Sequence, residues 1–265
     1  MNPTLKPAST MQRDTAAGPA MSESTRVIYV LTSGLDIGSP IAASLAARGA
    51  RVAWLSDGTD APAVDVDERV TRIAASFASR AELELAFAAA AECVGAPDQV
   101  VVSALPPSAL VARDITAVTD EVWRASCAGA MKSVLHALQA GHTQLCERGG
   151  SVVVIGPSLS LAGAPQLVPL SAAVEGQRGL VKSTARQWGR RGLTVNWVAA
   201  APRALSSLFD VLPLPSKPDP VPIAFGRPLD LGSEIAPVIE FLGSAAGRAL
   251  TGATLLLDGG EWMVP

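Results

Sequence analysis

The chain has 265 residues, of which 49% are hydrophobic and 17% are charged, and its formal net charge is −3 at pH 7. A chain of this length and apolar content can bury a large core, which excludes a mainly disordered protein. The small net charge and the lack of a long basic run argue against nucleic acid or an anionic membrane as a partner. No unbroken apolar segment is long enough to span a bilayer.

The chain contains three cysteines, Cys93, Cys127 and Cys146, which are odd in number and far apart. This pattern favours free thiols in a reducing compartment, so we expect a cytoplasmic protein without a disulfide framework. The two histidines, His136 and His142, are too few for most metal sites. We therefore expect no metal centre.

Residues 1–24 are polar and contain several Pro, Ser, Thr and Gly residues. They lack the apolar core of a signal peptide, and their composition predicts a disordered extension. Met21 lies a few residues before the first predicted strand, so it is an alternative to Met1 as the start of the protein.

The folded part begins with a strand, a turn and a helix. The apolar run Val27–Leu31 predicts a buried strand, and Thr32–Gly38 is a turn rich in Thr, Ser, Gly and Asp. A helical pattern follows, in which Ile41 and Leu45 are spaced to face a sheet and Gly49 marks the end. This order predicts the first half of a dinucleotide-binding βαβ unit.

Strand and helix patterns alternate through the rest of the chain. Ser79 and Glu82 have the spacing of a capping box, Val100–Val102 is apolar enough for a central strand, and the proline-rich residues 205–228 predict an irregular lobe. This alternation predicts a single α/β domain over 25–265, a Rossmann-like, doubly wound, parallel sheet of seven strands between two helical layers. The later strands are predicted at 51–55, 72–75, 100–102, 151–155, 193–198 and 254–257, and the later helices at 80–93, 120–146, 170–190 and 230–242.

Asp57 ends the second predicted strand, roughly 20 residues after the glycine turn, where an acidic residue often binds a ribose hydroxyl. Because Gly58 follows, a turn-forming aspartate is an equally good interpretation. The sequence leaves both roles open.

Several short motifs, in this order and spacing, resemble the short-chain dehydrogenase/reductase family over about residues 25–262. The resemblance implies a Rossmann-like fold and, for intact members, NAD(P)-dependent oxidoreduction. The motifs are Leu45–Ala50, Gly95 with Asp98, Gly150–Ile155, Val195–Asn196, Phe241–Ser244, and Thr251–Gly252 followed by Asp258–Gly260.

The resemblance also implies four catalytic side chains, and this chain departs from the family at each of them. The family's tyrosine and the lysine four residues later fall on Leu170 and Val174. Its serine falls on Pro157, and its asparagine falls on Ala130. None of these four side chains can exchange a proton, which general acid–base catalysis requires. We therefore expect a chain that is catalytically inactive on its own.

The glycine-rich cofactor motif of the family is only partly present. Ile37 and Gly38 align with it, Gly34 is displaced, and Asp36 stands where the family has its middle glycine. At a helix N-terminus the Asp36 carboxylate would accept from amides and repel a phosphate. We expect NAD(P) binding to be lost, with these four residues and Asp57 as remnants. Other family cofactor contacts are replaced at Ser76, Val102–Leu105 and Ala200–Ala201.

The first functional interpretation is a non-catalytic subunit that assembles with an active paralogue of the same family in a heterotetramer. The family assembles through two long helices, here about 121–146 and 170–190, and through the C-terminal strand region, about 250–265, and these segments remain apolar. The resemblance suggests hydroxyacyl or oxoacyl thioesters as substrates of such a complex.

Two other interpretations remain open. The chain is alternatively an NAD(P)-dependent oxidoreductase with an atypical site, in which Ser33, Gly34 and Asp57 hold the cofactor. A third interpretation is a ligand-binding protein with an apolar cavity at Leu105, Leu170 and the proline-rich lobe. Close packing would instead fill such a cavity with side chains.

Overall fold

The computed structural model describes residues 25–59, 68–212 and 223–263. In this part of the chain, a seven-stranded sheet forms the centre of the molecule. Its strands are β1 (Val27–Ser33), β2 (Arg51–Ser56), β3 (Val70–Ala74), β4 (Gln99–Ala104), β5 (Gly150–Pro157), β6 (Leu193–Ala200) and β7 (Thr254–Leu257). The spatial order is β3-β2-β1-β4-β5-β6-β7, and every neighbouring pair is parallel. The predicted parallel seven-stranded sheet is confirmed, and β4 is central as its apolar run indicated.

Helices connect the strands and cover the sheet. They are α1 (Gly38–Ala47), α2 (Arg80–Val94), α3 (Asp120–Trp123), α4 (Gly129–Leu145), α5 (Leu159–Ala162), α6 (Val168–Trp188), α7 (Pro202–Leu205) and α8 (Ala236–Gly243). A π-helical segment, Arg124–Ala128, joins α3 to α4, so the single long helix predicted at 120–146 changes its hydrogen-bonding pattern near its start. A second π-helical segment, Leu231–Ile235, precedes α8. No helix in the described ranges is long and apolar enough to cross a bilayer.

Local sequence signals located the start of α2 correctly but not the start of β3. Ser79 caps α2 by accepting a hydrogen bond from the Glu82 amide at 3.2 Å, as predicted. The Glu82 carboxylate instead accepts from Ser76 Oγ at 2.6 Å, so one half of the expected capping box has a different partner. Strand β3 begins at Val70, two residues before the predicted start, because its pairing with β2 already starts there.

Two sequence predictions fall partly or wholly outside the described residues. The N-terminal extension, 1–24, lies outside them, as do 213–222 of the proline-rich lobe. The described start of that lobe contains the end of α7 and a short 3₁₀ turn, Ser207–Asp210. All three cysteines are free thiols, as their spacing indicated.

The contact between β1, β2 and α1 is built around Trp54. Its indole nitrogen donates to Thr32 Oγ1 at 2.7 Å, and the side chain is fully buried. Gly38, the first residue of α1, lies directly over the indole: a Cβ at this position would be 2.2 Å from Trp54 Nε1 and 2.7 Å from Thr32 Oγ1. Glycine is required here because the helix approaches a rigid, hydrogen-bonded ring.

Gly38→Ala is therefore expected to lower the free energy of unfolding by about 1–3 kcal/mol, the usual range for overpacking a rigid core. Urea unfolding measures this difference. Gly179→Ala is the matched control, since Gly179 is a glycine inside α6 with no atom near the position of a Cβ. Alanine is the better helix former, so the control is expected to be neutral or slightly stabilising. Equal losses in both variants would rule out the contact with Trp54 as the cause.

His142 near the end of α4 contacts the end of α6. Its ring lies 4.8 Å from that of Trp188, centroid to centroid, and its Nε2 is 3.1 Å from Arg191 Nη1. Because arginine only donates, Nε2 accepts and the imidazole is neutral with its proton on Nδ1. Burial, and then the positive charges of Arg191 and Arg80, lower the pKa of His142 below its ordinary value of 6.5.

This lowered pKa predicts a pH-dependent stability. Between the folded pKa and 6.5 the unfolded chain binds more protons at His142 than the folded chain does, so stability rises with pH through that window. The free energy of unfolding should fall as the pH drops below 6.5. His142→Gln should flatten this part of the profile, whereas His136→Gln, which keeps His142, should retain it. An unchanged slope in His142→Gln would assign the dependence to another group.

Candidate functional site

The turn between β1 and α1 keeps its shape through packing. Gly34 has a φ of +78°, and a Cβ there would lie 1.8 Å from the carbonyl oxygen of Leu105. Its amide donates to Thr59 Oγ1 at 2.7 Å. The two apolar residues of the turn, Leu35 and Ile37, are fully buried. The displaced Gly34 therefore allows the chain after β4 to pass directly against the turn.

Asp36 lies in the same turn and connects it to the segment after β6. Its Oδ2 accepts a hydrogen bond of 3.0 Å from Ser206 Oγ, and Ser206 is buried and also accepts from the Leu208 amide. The N-cap position of α1 is Ile37, which contributes no side-chain cap. The predicted contact of Asp36 with helix amides stays a prediction. A negative charge held at this point opposes the approach of a phosphate to the helix N-terminus.

Asp57 combines an exposed position with a full set of local hydrogen bonds. Its Oδ2 accepts from Ser33 Oγ at 2.6 Å, and its Oδ1 accepts from the amide of Thr59 at 3.0 Å. The second contact is the Asx-type turn that the sequence offered as one interpretation. The side chain remains exposed at the end of β2, so a ribose contact stays a prediction.

The four family catalytic positions lie inside the protein. Leu170 and Val174, on one face of α6, are 0% and 1% exposed. Ala130 of α4 is also fully buried, and Pro157 is buried at the end of β5. Buried apolar side chains thus lie at the positions where, according to the resemblance, acid–base catalysis would require accessible titratable groups.

The single tyrosine of the chain cannot replace the missing acid. Tyr29 is buried in β1, packs edge-to-face on Phe87 at 5.2 Å between ring centroids, and donates to the carbonyl of Gly95 at 2.8 Å. Burial is the main cause that raises the pKa of Tyr29 above its ordinary value of 10.0. Its role is structural.

The sequence interpretation missed Gln177, which follows Val174 by one helical turn on the buried face of α6. Its Nε2 donates to the carbonyls of Ala104 and Ala130, both at 3.0 Å. Its Oε1 is buried without a partner among the described residues, which costs free energy. Gln177 therefore joins the end of β4 to α4 beside two of the altered family positions. A buried polar residue on the face of Leu170 and Val174 was the available signal.

One part of the cleft at the carboxyl ends of the strands remains open. A cavity of about 460 Å³ lies beside the ends of β1, β2 and β3, within the size range of small-molecule sites. An adjoining groove of about 620 Å³ contains Arg72, whose guanidinium lies 4.7 Å over the Trp54 ring. The polar residues of the cavity are Ser33, Asp57, Ser76, Lys132 and Ser133.

These observations divide the family's cofactor site into two parts. At the end where the resemblance places the adenosine, Asp57 and Ser76 border open space. At the diphosphate and nicotinamide end, Asp36 holds a negative charge and Leu170 and Val174 are buried core residues. The residues present therefore do not fit a complete NAD(P). In the described ranges, no group of three His, Cys, Asp or Glu residues could hold a metal ion.

Known proteins match nearly the whole folded part of the chain. The sequence model of the family described as Enoyl-(Acyl carrier protein) reductase matches residues 33–261. Galactitol 2-dehydrogenase (L-tagatose-forming) from Cereibacter sphaeroides is 30% identical over 251 residues, covering 87% of this chain and 92% of that protein. The 3-oxoacyl-[acyl-carrier-protein] reductase FabG from Staphylococcus aureus strain N315 is 29% identical over 253 residues, covering 90% and 99%.

Solved structures agree with the fold. The 3-ketoacyl-(acyl-carrier-protein) reductase from Brucella melitensis, complexed with NADH, has a TM-score of 0.75 at 18% identity and covers 89% of this chain and 98% of its own. A short-chain dehydrogenase/reductase from Serratia marcescens BCRC 10948 has a TM-score of 0.67 at 24% identity and covers 89% and 97%. Together with the family motifs and the parallel seven-stranded sheet, these matches show that the chain belongs to the short-chain dehydrogenase/reductase family.

Proposed function

We propose that this chain is a non-catalytic subunit that assembles with an active paralogue of the same family and stabilises it in a heterotetramer. The main support is the burial of Leu170 and Val174 in the core of an otherwise complete family fold. Proton transfer needs a titratable group within hydrogen-bond reach of the reacting oxygen, and these positions offer none. An active partner would supply the chemistry that this chain lacks.

The segments that would meet the partner have apolar side chains at their surface. Leu135 on α4 is 37% exposed, and Trp123 of α3 is exposed as well. Near the C-terminus, Trp262 and Met263 are also exposed, and Met263 reaches 76%. They lie on the predicted assembly segments, about 121–146 and 250–265. These side chains would be covered by a partner in the assembly, whereas single exposed apolar residues such as Leu85 also occur elsewhere on the surface.

The relatives suggest a substrate class for the complex. FabG proteins are 3-oxoacyl-[acyl-carrier-protein] reductases, and the chain matches one over 99% of its length. We therefore propose that the active partner reduces an oxoacyl thioester or oxidises a hydroxyacyl thioester. We also propose that the complex is cytoplasmic, and the three free cysteines, which are typical of a reducing compartment, support this.

The alternative function is an NAD(P)-dependent oxidoreductase with an atypical site. The open cavity beside Ser33 and Asp57 favours it, because this space lies where the resemblance places the adenosine of the cofactor. Such an enzyme would depend on an acid from its substrate, since Leu170 and Val174 cannot donate a proton.

Native purification tests the proposed function. The chain is tagged at one terminus and purified under mild conditions. A family member that retains the catalytic tyrosine and lysine should co-purify with it, and mass spectrometry identifies that partner. Leu135→Asp on α4 should reduce the recovery of that partner. Leu85→Asp is the matched control, because Leu85 is 72% exposed on α2, outside the predicted assembly segments. Recovery of a stable homomer without a family partner would contradict the proposal.

Asp36→Gly should not restore cofactor binding. The change removes the misplaced charge and restores the family glycine, but Leu170 and Val174 still occupy the nicotinamide end. Titration with NADH and NADPH, followed by tryptophan fluorescence, measures the affinity. Ser206→Ala is the control, since it removes the same hydrogen bond with Asp36 and leaves the turn intact. Binding of Asp36→Gly near about 1 μM would show that one residue blocks an otherwise functional site.

A further inference from the structure

A second pocket lies at the amino ends of the strands, where β5 and β6 begin. The cofactor cleft lies at the opposite, carboxyl ends of the strands. The second pocket has a volume of about 130 Å³, below the range of about 300–1,000 Å³ that holds drug-sized ligands. Four parts of the chain line it: Asp98 before β4, residues 148–151 before and at the start of β5, residues 192 and 194 around the start of β6, and residues 242–244 with 248 between α8 and β7. A space of this size suits a single small group.

Two arginines line this pocket without a carboxylate partner among the described residues. Arg148 Nη2 donates to the carbonyl of Pro97 at 3.0 Å, which leaves further N–H groups of its guanidinium free to bind. Arg248 lines the opposite segment and makes no side-chain hydrogen bond or ion pair with a described residue. Both residues are exposed, and two positively charged side chains beside one concave site favour an anion there.

Asp98 is the one carboxylate that lines the pocket, and it already has partners. Its Oδ2 accepts from the Val27 amide at 2.9 Å, and the guanidinium of Arg26 lies close enough to attract its charge. The positive charge of Arg26 thus already offsets part of the negative charge of Asp98. The two arginines determine the remaining charge of the pocket.

The neutral polar groups in the pocket differ in what they can offer a ligand. The hydroxyls of Ser151 and Ser244 donate to the carbonyls of Leu242 and Phe241, at 3.1 and 2.7 Å. Thr194 is buried at the start of β6 and lines the same space. Its hydroxyl is the uncommitted neutral donor, because no described residue bonds to it.

From this arrangement we propose that the pocket binds a small oxyanion, either free phosphate or the terminal phosphate of a metabolite, between Arg148 and Arg248. A guanidinium binds phosphate oxygens through two parallel N–H donors, and two guanidinium groups match a tetrahedral anion better than a planar carboxylate. The bound anion would connect the start of β5 to the segment that leads into β7. The pocket shares no lining residue with the cavity of the cofactor cleft, and phosphate binding there does not require a partner subunit.

Calorimetric titration of the full-length chain with inorganic phosphate, at fixed ionic strength, tests this site. One phosphate should bind per chain, and Arg148→Gln and Arg248→Gln should each weaken binding about tenfold, as expected for the loss of one charge-assisted contact. Arg51→Gln is the matched control. Arg51 is an exposed arginine, also at the amino ends of the strands, that donates to the carbonyl of Cys93 and does not line the pocket.

Thr194→Val supplies an uncharged variant, which should also weaken phosphate binding while keeping the net charge. A parallel titration with glycerol 3-phosphate distinguishes the source: tighter binding than inorganic phosphate assigns the site to a metabolite, and weaker binding assigns it to the free ion. No binding to the wild-type chain at about 10 mM phosphate would overturn the assignment. Equal weakening by Arg51→Gln would also overturn it, since general charge attraction would then explain the binding.

Discussion

The packing of the first βαβ unit depends on the hydrogen bond between Trp54 and Thr32, which lies directly under Gly38. It joins β2 to β1 in the core and fixes the distance at which α1 packs on the sheet. In the family, this unit carries the cofactor's diphosphate. Here a buried indole, a hydroxyl and a glycine pack together in the core, and this contact would keep the strand, turn and helix in place without a phosphate contact. The rest of the parallel sheet extends from this unit.

Packing also dominates at the positions that the resemblance aligns with the family's catalytic residues. Burial of a Leu or Val side chain stabilises a fold by about 1.5–3 kcal/mol, and Leu170 and Val174 are both buried in the core. Gln177 adds hydrogen bonds to the carbonyls of Ala104 and Ala130 at the same place. Titratable groups at positions 170 and 174 would therefore require repacking of the core. This physical barrier favours a structural role within a larger assembly.

Most of the fold could be predicted from the sequence because strands and helices leave local and periodic patterns of residue types. Apolar runs marked all seven strands, and Ser79 marked the start of α2. The contact between Asp36 and Ser206 was not predictable in this way, since the residues are 170 positions apart and their pairing depends on the path after β6. Likewise, the open cavity beside β1, β2 and β3 and the arginine-lined pocket form only where several loops meet. Gln177 had a visible signal, a polar residue on an apolar helix face, whose partners only the structure identifies.

The central claim is that this chain keeps the scaffold of a dehydrogenase without its cofactor chemistry. The most direct measurement is the number of NAD(P)H molecules bound per copy of the wild-type chain, by equilibrium dialysis of the protein as purified, with any relative that accompanies it. We expect this chain to bind no NAD(P)H. The number of bound NAD(P)H molecules should equal the number of accompanying family subunits that retain the catalytic residues. One bound cofactor per copy of this chain would contradict the account and favour an oxidoreductase with an atypical site.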